Sequence, residues 1–446
     1  MERIDIIGGG LSGSLMAVYL AKRGFDVHVF ERRPDLRSNR ISAGKSINLA
    51  LSNRGIKALE KVGLADEILS DGIPMYGRMM HSIDGKLSYQ PYGKEGQAIY
   101  SVSRGRLNIK LLELADEYPN ITLYFNHRCV DVDIVNGTST FVDEHGNTTH
   151  HKANRILGTD GAFAATRGRL QISDRFNYSQ DYLKHGYKEL AIPAGEGGKF
   201  LIEKNALHIW PRSSFMMIAL PNPAGDFTCT LFLPFEGGEY NFKTLNNPDA
   251  VAAFFNNQFP DVVPIMPGLL DDFATNPTSS LVTVRCYPWV REDKIALMGD
   301  AAHAVVPFYG QGMNCSFEDC VVMDECIENF GTDWTKVFEN YQELRKTNAD
   351  AIADLALQNF VEMRDLVGHP DFLRKKQVEH DLTELYPDVF KSQYELVTFS
   401  TTPYRKALEQ GAINDKILAT IITNNIDVNN RDAVLDIINK VTATAN

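Results

Sequence analysis

The chain has little of what would take it out of the ordinary globular class. Only six of its 446 residues are cysteines, at 129, 229, 286, 315, 320 and 326. None forms a Cys-x-x-Cys pair and no histidine brackets them at zinc-ligand spacing, which excludes a zinc ribbon and a thioredoxin-type motif. A chain of this length needs no disulfide scaffold, so reduced structural thiols and a cytoplasmic setting are expected. Basic residues are in deficit, 45 against 57 acidic, for a formal charge of −12. That argues against general nucleic-acid binding, which needs clustered Lys and Arg. No apolar run reaches the ~18 residues of a membrane span. The N-terminus opens with charges of both signs and its apolar stretch is broken by Gly8-Gly9-Gly10, unlike a secretory leader. The tail from Lys416 holds the apolar run Ile417–Ile422 and then breaks into Asn and Asp, so a packed helix without a membrane anchor is expected. There is no repeat and no low-complexity tract. What remains, 44 % hydrophobic and 23 % charged, suits two or three domains of roughly 150 residues each.

The first 31 residues carry the clearest pattern. Arg3–Ile7 reads as a strand, Leu11–Arg23 as a helix ended by Gly24, and Val27–Phe30 as a second strand, one βαβ unit. Gly8-x-Gly10-x-x-Gly13 lies between the first strand and the helix. The first glycine permits a tight turn, the second lets backbone approach a pyrophosphate, and the third packs helix on strand. The helix N-terminus then offers N–H groups and a positive dipole end to phosphates. Glu31 closes the second strand, where a carboxylate suits two ribose hydroxyls. This favours FAD or NAD over NADP at the site.

Further along, Leu107–Tyr118 reads as a helix and Ile121–Phe125 as a strand. Val130–Val135 and Thr140–Val142 read as a hairpin around Asn136-Gly137, and Arg155–Leu157 leads into Gly158-Thr159-Asp160-Gly161. From about 175 to 285, alternating runs such as Ala206–Trp210 and Phe227–Leu233 indicate an antiparallel sheet. Strand character returns at Lys294–Met298, and from Phe317 the chain is mostly helical.

Two glycine–aspartate segments decide between FAD and NAD. Gly158-Thr159-Asp160-Gly161 is followed by Arg167. Gly299-Asp300-Ala301-Ala302-His303 is followed by Pro307 and by Gly310-Gln311-Gly312-Met313-Asn314. Asp300 at a strand end can accept from ribityl hydroxyls. Gly310, Gly312 and the helix after them can place N–H groups near a flavin pyrimidine edge. Together with the glycine turn, these segments resemble those of the single-component FAD-dependent aromatic hydroxylases. The resemblance implies an α/β protein: a Rossmann-like FAD-binding domain with an inserted antiparallel β-sheet substrate domain and a helical C-terminal part. The expected boundaries are 1–175 for the first part of the FAD domain, with a segment of about 70–100 reaching the substrate site. The β-sheet substrate domain follows at 176–285, the second FAD part at 286–330, and the helical region at 331–446.

The resemblance narrows to the branch of that family that hydroxylates L-kynurenine. It is carried by Gly299–Asn314, Lys45–Ser52, Tyr100–Arg104, Phe227–Glu236, Asn359–Arg364 and Val397–Ser400. Two departures stand out. Tyr309 replaces a usual Phe or His, and the membrane-anchoring tail of eukaryotic members is missing, as in the soluble bacterial form. The resemblance implies that Arg78, Tyr92 and Tyr394 take the substrate carboxylate. Asn359 and Met363, four apart and so on one helix face, would lie beside the substrate. Leu207, Leu220, Thr230, Phe232, Pro307, Phe308 and Tyr309 would wall an aniline ring. Met363 and the wall residues also suit plain core packing. For FAD it implies Gly8, Gly10, Leu11, Ser12, Gly13, Phe30, Glu31, Arg32, Arg33, Ala50, Arg104, Cys129, Asp160, Asp300, Gly312, Met313 and Asn314. Arg32, Arg33, Arg37, Arg40 and Lys45 form a basic run, read either as FAD and NADPH phosphate contacts or as a solvated face. His303 is read either as a base or as a loop histidine bonded to backbone near the flavin. No metal and no acid–base residue is expected.

The activity so implied is reduction of FAD by NADPH, reaction with O2 to a C4a-hydroperoxide, and hydroxylation ortho to the aromatic amine. The pathway setting would be tryptophan degradation or NAD biosynthesis, in a monomer or homodimer. A hydroxylase of another aromatic acid and a non-hydroxylating FAD-binding reductase or effector module stay open. A flavin halogenase would need a Trp-x-Trp-x-x-Pro segment, and Trp210-Pro211 does not supply one.

Overall fold

The computed structural model describes residues 2–38, 48–366 and 370–445. The chain divides into two compact units. One comprises residues 1–72, 102–183 and 281–353, the other 73–101, 184–280 and 354–446.

The first unit is built on a six-stranded sheet. Its order is Val290–Arg291, Ile295–Leu297, Arg155–Gly158, Arg3–Ile7, Asp26–Phe30, Ile121–Tyr124. All neighbours are parallel except the Val290–Arg291 edge. Parallel strands are covered on both faces and so read as apolar runs. Ile4, Ile6, Val27, Val29, Ile156 and Leu157 are accordingly buried. Helix Leu11–Lys22 is buried from Gly13 to Ala21, and helices Arg104–Asp116 and Gly312–Phe330 pack on it. The Arg104 helix begins three residues before the sequence expectation, because Ser103 caps it by accepting from Arg106 N–H at 3.4 Å. The expected hairpin forms from Arg128–Asp133 and Thr138–Val142, extended by Thr148–Lys152.

The second unit is built on a seven-stranded sheet. Its order is Ser279–Tyr287, Asn177–Ile192, Phe227–Pro234, Met216–Pro221, Ala206–Pro211, Gly77–His81, Leu87–Pro91. Pairing is antiparallel through the middle strands, and Ala206–Pro211 runs parallel to Gly77–His81. Side chains alternate between faces, so the register sorts them. Leu190, Ile192, Trp210, Met217, Ala219, Cys229, Leu231 and Leu233 fall on one face. They form a core with Phe254 and Phe255 of helix Pro248–Gln258 and with Leu269 and Phe273 of helix Leu269–Thr275.

The long helix Trp334–Val361 ends in a π-helical turn, Glu362–Leu366. Helices Pro370–Leu385, Tyr404–Thr423 and Arg431–Ala445 share a core of Leu382, Tyr386, Ile417, Leu418, Ile421, Val434 and Ile438. The apolar run at 417–422 therefore packs as a helix, as its spacing suggests. No helix among the described residues is long and apolar enough to cross a membrane.

Candidate active site

In the first unit the three glycines of the turn do different work. Gly8 has φ +109°, its N–H donates to Phe30 O at 2.8 Å, and a Cβ there would lie 2.5 Å from Thr159 O. A Cβ on Gly13 would lie 2.0 Å from Gly8 O. Both positions are closed to any larger residue by the backbone itself. Gly10 differs: an added Cβ meets nothing within 4 Å. It caps helix Leu11–Lys22 with no side chain, so the N–H groups of Leu11, Ser12 and Gly13 sit at an uncapped helix start beside open space.

Glu31 stands at the edge of this space. Its Oε2 accepts Gly9 N–H at 2.9 Å, and its Oε1 accepts Arg33 N–H at 3.0 Å and Arg33 Nε at 2.7 Å. Burial works against its charge, but the Arg33 guanidinium and the two N–H groups outweigh that and hold the carboxyl below its usual range. It is an oriented carboxylate beside the glycine turn.

The other expected cofactor segments converge on the same turn. Gly299, at φ +57°, packs so close to Ser12 that a Cβ would lie 2.9 Å from Ser12 Oγ. Asp300 follows as an exposed first residue of helix Asp300–His303. Arg167 ties the two aspartate segments together, donating to Ala301 O at 2.9 Å and Ala162 O at 2.6 Å. Asp160 is held by Thr166 N–H at 3.1 Å and Thr166 Oγ1 at 2.5 Å, with Cys129 close enough that its carboxylate helps burial push the thiol up to about 12. Asn314 accepts Ser52 N–H at 2.9 Å and donates to Ala50 O at 2.8 Å and Gly310 O at 2.9 Å. Its side chain joins strand Asn48–Leu51 to the Gly310 loop. Gly312 and Met313 open helix Gly312–Phe330. An uncapped helix start, an open glycine position and an oriented carboxylate fit FAD.

Some expected residues do something else. Phe30 is buried in an aromatic stack, 4.1 Å from Phe141 and 4.7 Å from Tyr124, so it shapes the turn only through its carbonyl. Arg37 pairs with Asp35 and Asp116, and Arg33 with Glu31. Arg32 and Arg104 are exposed, Arg104 as the first residue of its helix. Arg40 and Lys45 lie outside the described residues. His303 bonds neither as a base nor to backbone. Its Nε2 meets Asp319 at 2.6 Å, and Asp319 also accepts Gly299 N–H at 2.9 Å and Arg345 Nε at 2.7 Å. Arg345 and Arg54 both pair with Glu318. The Arg345 guanidinium lies 3.2 Å from Cys315 Sγ, so it touches two members of the His303, Cys315 and Asp319 group. Burial opposes the charge on His303, yet the Asp319 carboxylate outweighs it and raises the imidazole well above its ordinary value.

In the second unit the register gathers the other expected set. Leu207 pairs with Arg78 across parallel strands, Leu220 with Thr228, and Thr230 and Phe232 follow at steps of two. By alternation, Arg78, Leu207, Leu220, Thr230 and Phe232 all project from the face opposite the helix-packed core. On that face Tyr92 and Tyr394 stack with rings 5.0 Å apart and 9° from parallel. The Arg78 guanidinium lies 5.7 Å and 5.2 Å from their centroids. The Tyr92 hydroxyl is buried and has no hydrogen-bond partner of good geometry among the described residues. Burial raises both phenols above their usual value, so both stay protonated donors. Asn359 and Met363 are buried and in contact, Nδ2 to Sδ 3.3 Å. Glu362, between them, was not singled out from the sequence. It lies 3.7 Å from Arg78 Nη1. Its signal was an acid in the Asn359–Arg364 run, meaningful only once Arg78 is beside it. Pro307, Phe308 and Tyr309 form a short turn in the first unit, the two aromatics buried.

Comparison with known proteins agrees with this geometry. The FAD binding domain family model matches residues 2–206 and 276–356. The kynurenine 3-monooxygenase of Myxococcus xanthus is 49 % identical over 422 residues, covering 94 % of this chain and 90 % of that one. The kynurenine 3-monooxygenase of Dictyostelium discoideum is 48 % identical over 439 residues, covering 96 % and 94 %. Among solved structures, 2-methyl-3-hydroxypyridine-5-carboxylic acid oxygenase matches with a TM-score of 0.65 at 20 % identity, over 84 % of this chain and 95 % of that one. The p-nitrophenol 4-monooxygenase of Pseudomonas putida matches with a TM-score of 0.65 at 18 % identity, over 86 % and 94 %. These structural likenesses show the fold. With nearly half its residues shared over more than nine-tenths of its length, the chain belongs to the kynurenine 3-monooxygenase family of FAD-dependent aromatic monooxygenases.

Proposed function

We propose that the protein hydroxylates L-kynurenine to 3-hydroxykynurenine, consuming NADPH and O2. The observation that carries the reading is the guanidinium of Arg78 set beside a stacked pair of buried, protonated tyrosines on the face of the sheet opposite its core. Such a corner suits an anionic carboxylate at the end of an aromatic ligand.

Arg78 binds that carboxylate through paired N–H donors, each charge-assisted bond contributing about 1.5–3 kcal/mol. The stacked rings of Tyr92 and Tyr394 keep the guanidinium from turning, and their hydroxyls add neutral donors. Leu207, Leu220, Thr230 and Phe232 make the wall along which the aniline ring lies, and Asn359 and Met363 border it. Anchoring one end of a ligand against a rigid wall decides which ring carbon is presented.

In the first unit the N–H groups of Leu11, Ser12 and Gly13 and the cation of Arg104 hold the FAD pyrophosphate, with Arg32 at its margin. Glu31 takes the adenosine ribose, Asp300 the ribityl chain, and the start of helix Gly312–Phe330 the pyrimidine edge. Ala50, Cys129, Asp160, Met313 and Asn314 line the cradle. Bound FAD supplies hydride acceptance from NADPH and activation of O2. The amine lone pair of the substrate already activates the ring, so no protein base is assigned.

The test is purification of the yellow protein and a screen of aromatic amino acids and acids for NADPH oxidation coupled to O2 uptake. L-Kynurenine should stimulate oxidation most and give a product heavier by one oxygen. Equal stimulation by simple aromatic acids, or oxidation without a hydroxylated product, would refute the reading.

A further inference from the structure

We infer that His303 is a positioning residue for the flavin: with Asp319, Arg345, Arg54 and Glu318 it places one net positive charge beneath the Gly299–His303 loop, and this charge favours reduced over oxidised FAD. The inference rests on the cofactor site proposed above and goes beyond it in naming what sets the flavin's potential.

The buried group bonds to both segments that would hold the isoalloxazine. Asp319 Oδ2 accepts Gly299 N–H at 2.9 Å and lies 2.6 Å from His303 Nε2, and its Oδ1 accepts Arg345 Nε at 2.7 Å. Arg345 Nη2 donates to Cys315 O at 3.1 Å, in the first turn of helix Gly312–Phe330. His303, Asp319, Arg345 and Arg54 are all buried, so salt screens them little. The two guanidinium groups stay charged, and Asp319 and Glu318 balance them. His303 therefore decides the sum. A separation of 2.6 Å from a buried carboxylate is that of a charge-assisted bond. The Trp289 ring, its centroid 5.1 Å from that of the imidazole, also favours a cation there. Three cations then face two carboxylates. Cys315 Sγ lies 3.2 Å from Arg345 Nη2. Burial pushes the neighbouring Cys320 thiol and Tyr341 phenol up, so both stay neutral. Charges outside the group, those of Arg167 and Asp300 included, are common to every variant below.

Hydride transfer from NADPH moves two electrons and one proton, releases NADP+ and adds one negative charge to the isoalloxazine. A fixed positive charge near the helix start stabilises that charged state and not the neutral oxidised ring. Asp319 stands seven residues past Gly312, about 10 Å along the helix axis. At roughly that distance, with an effective dielectric of about 20, one charge shifts an equilibrium by about ten-fold.

The experiment measures the two-electron midpoint potential of bound FAD at neutral pH, without ligand, against a reference dye. His303→Gln keeps a donor toward Asp319 and removes the charge. Reduced FAD should be disfavoured by about ten-fold, a fall of about 30 mV. Glu318→Gln removes a carboxylate and should raise the potential by a similar factor. Asp319→Asn removes an anion, and the imidazole left without it goes neutral. The net charge is kept, so the potential should stay at the wild-type value although buried bonds are lost. Unchanged potentials in His303→Gln and Glu318→Gln, or shifts of all three variants in one direction, overturn the inference while the proposed function stands. Should His303→Gln fail to hold FAD, the sign of the Glu318→Gln shift decides alone. A wild type that binds no FAD overturns both.

Discussion

Replacing Asp319 by asparagine tests whether the charge cluster beneath the Gly299–His303 loop holds that loop in place. Asp319 is fully buried and accepts three donors, from Gly299 N–H, His303 Nε2 and Arg345 Nε, at 2.9, 2.6 and 2.7 Å. An amide offers one acceptor oxygen and turns an NH2 group toward a donor, so at least one buried cation loses its partner. Breaking a buried ion pair costs about 3–5 kcal/mol. Because Arg345 keeps Glu318 and one oxygen is retained, the lower end, about 3 kcal/mol, is expected. The pH dependence separates this from a packing defect. His303 is raised well above its ordinary value by Asp319 against the effect of burial, so the folded state holds a proton that the unfolded state releases near pH 6.5. Its contribution is whole below pH 6.5 and is lost as pH rises toward the folded value, at up to about 1.4 kcal/mol per pH unit. Asp319 is shifted the other way: burial would raise it, but His303 and Arg345 lower it. Its contribution is lost only in acid, below the usual carboxylate range. Urea midpoints of the FAD-loaded protein between pH 5.5 and 9 should therefore fall with pH in the wild type. In Asp319→Asn that component should vanish, since a buried imidazole without its partner goes neutral. A variant within 1 kcal/mol of wild type that keeps the wild-type slope would refute the assignment.

The parts of the site legible in the sequence were those whose physics is local. A tight turn between strand and helix needs its glycines within six residues: Gly13 is forced by Gly8 O inside that turn, and Gly8 by its own φ of +109°. The alternation in Ala206–Trp210 and Phe227–Leu233 announced a sheet with two unlike faces, and the register bears this out. Which face was the core was not legible from apolarity, because Leu207 and Leu231 are equally apolar; helices Pro248–Gln258 and Leu269–Thr275 decide it. Residues whose meaning depends on a distant partner were misread or passed over. From sequence His303 reads as a base or as a loop histidine bonded to backbone, because its partner Asp319 comes from another helix. The stack of Phe30 with Tyr124 and Phe141 was not legible, because it needs the strand pairing and the hairpin first. The basic run from Arg32 is partly neutralised by its own neighbours, Glu31 and Asp35, which a count of charges by sign does not register.

Three further outcomes are expected. Arg78→Met should raise the Michaelis constant for L-kynurenine by about 100-fold, the loss of paired charge-assisted bonds, with FAD content unchanged in the absorbance spectrum. Gly10→Ala should fold with wild-type thermal stability, since nothing lies within 4 Å of the new Cβ, yet bind FAD more weakly in equilibrium dialysis; Gly13→Ala, 2.0 Å from Gly8 O, should lose stability and FAD together. The last concerns the two faces of the seven-stranded sheet. Leu231 is fully buried on the core face, so Leu231→Ala should cost about 2–5 kcal/mol of unfolding free energy and leave the Michaelis constant near wild type. Leu207 projects from the face that carries Arg78 and is only partly buried. Leu207→Ala should therefore cost about 1 kcal/mol of stability but weaken ligand binding by about 10-fold or more, the worth of one or two methylenes lost from an apolar wall. Denaturation and steady-state kinetics on the two variants give a crossed pattern if the sheet separates folding from binding by face. Parallel losses of stability and affinity in both would mean that the faces do not divide the work, and the assignment of Leu207, Leu220, Thr230 and Phe232 to a ligand wall would fall with it.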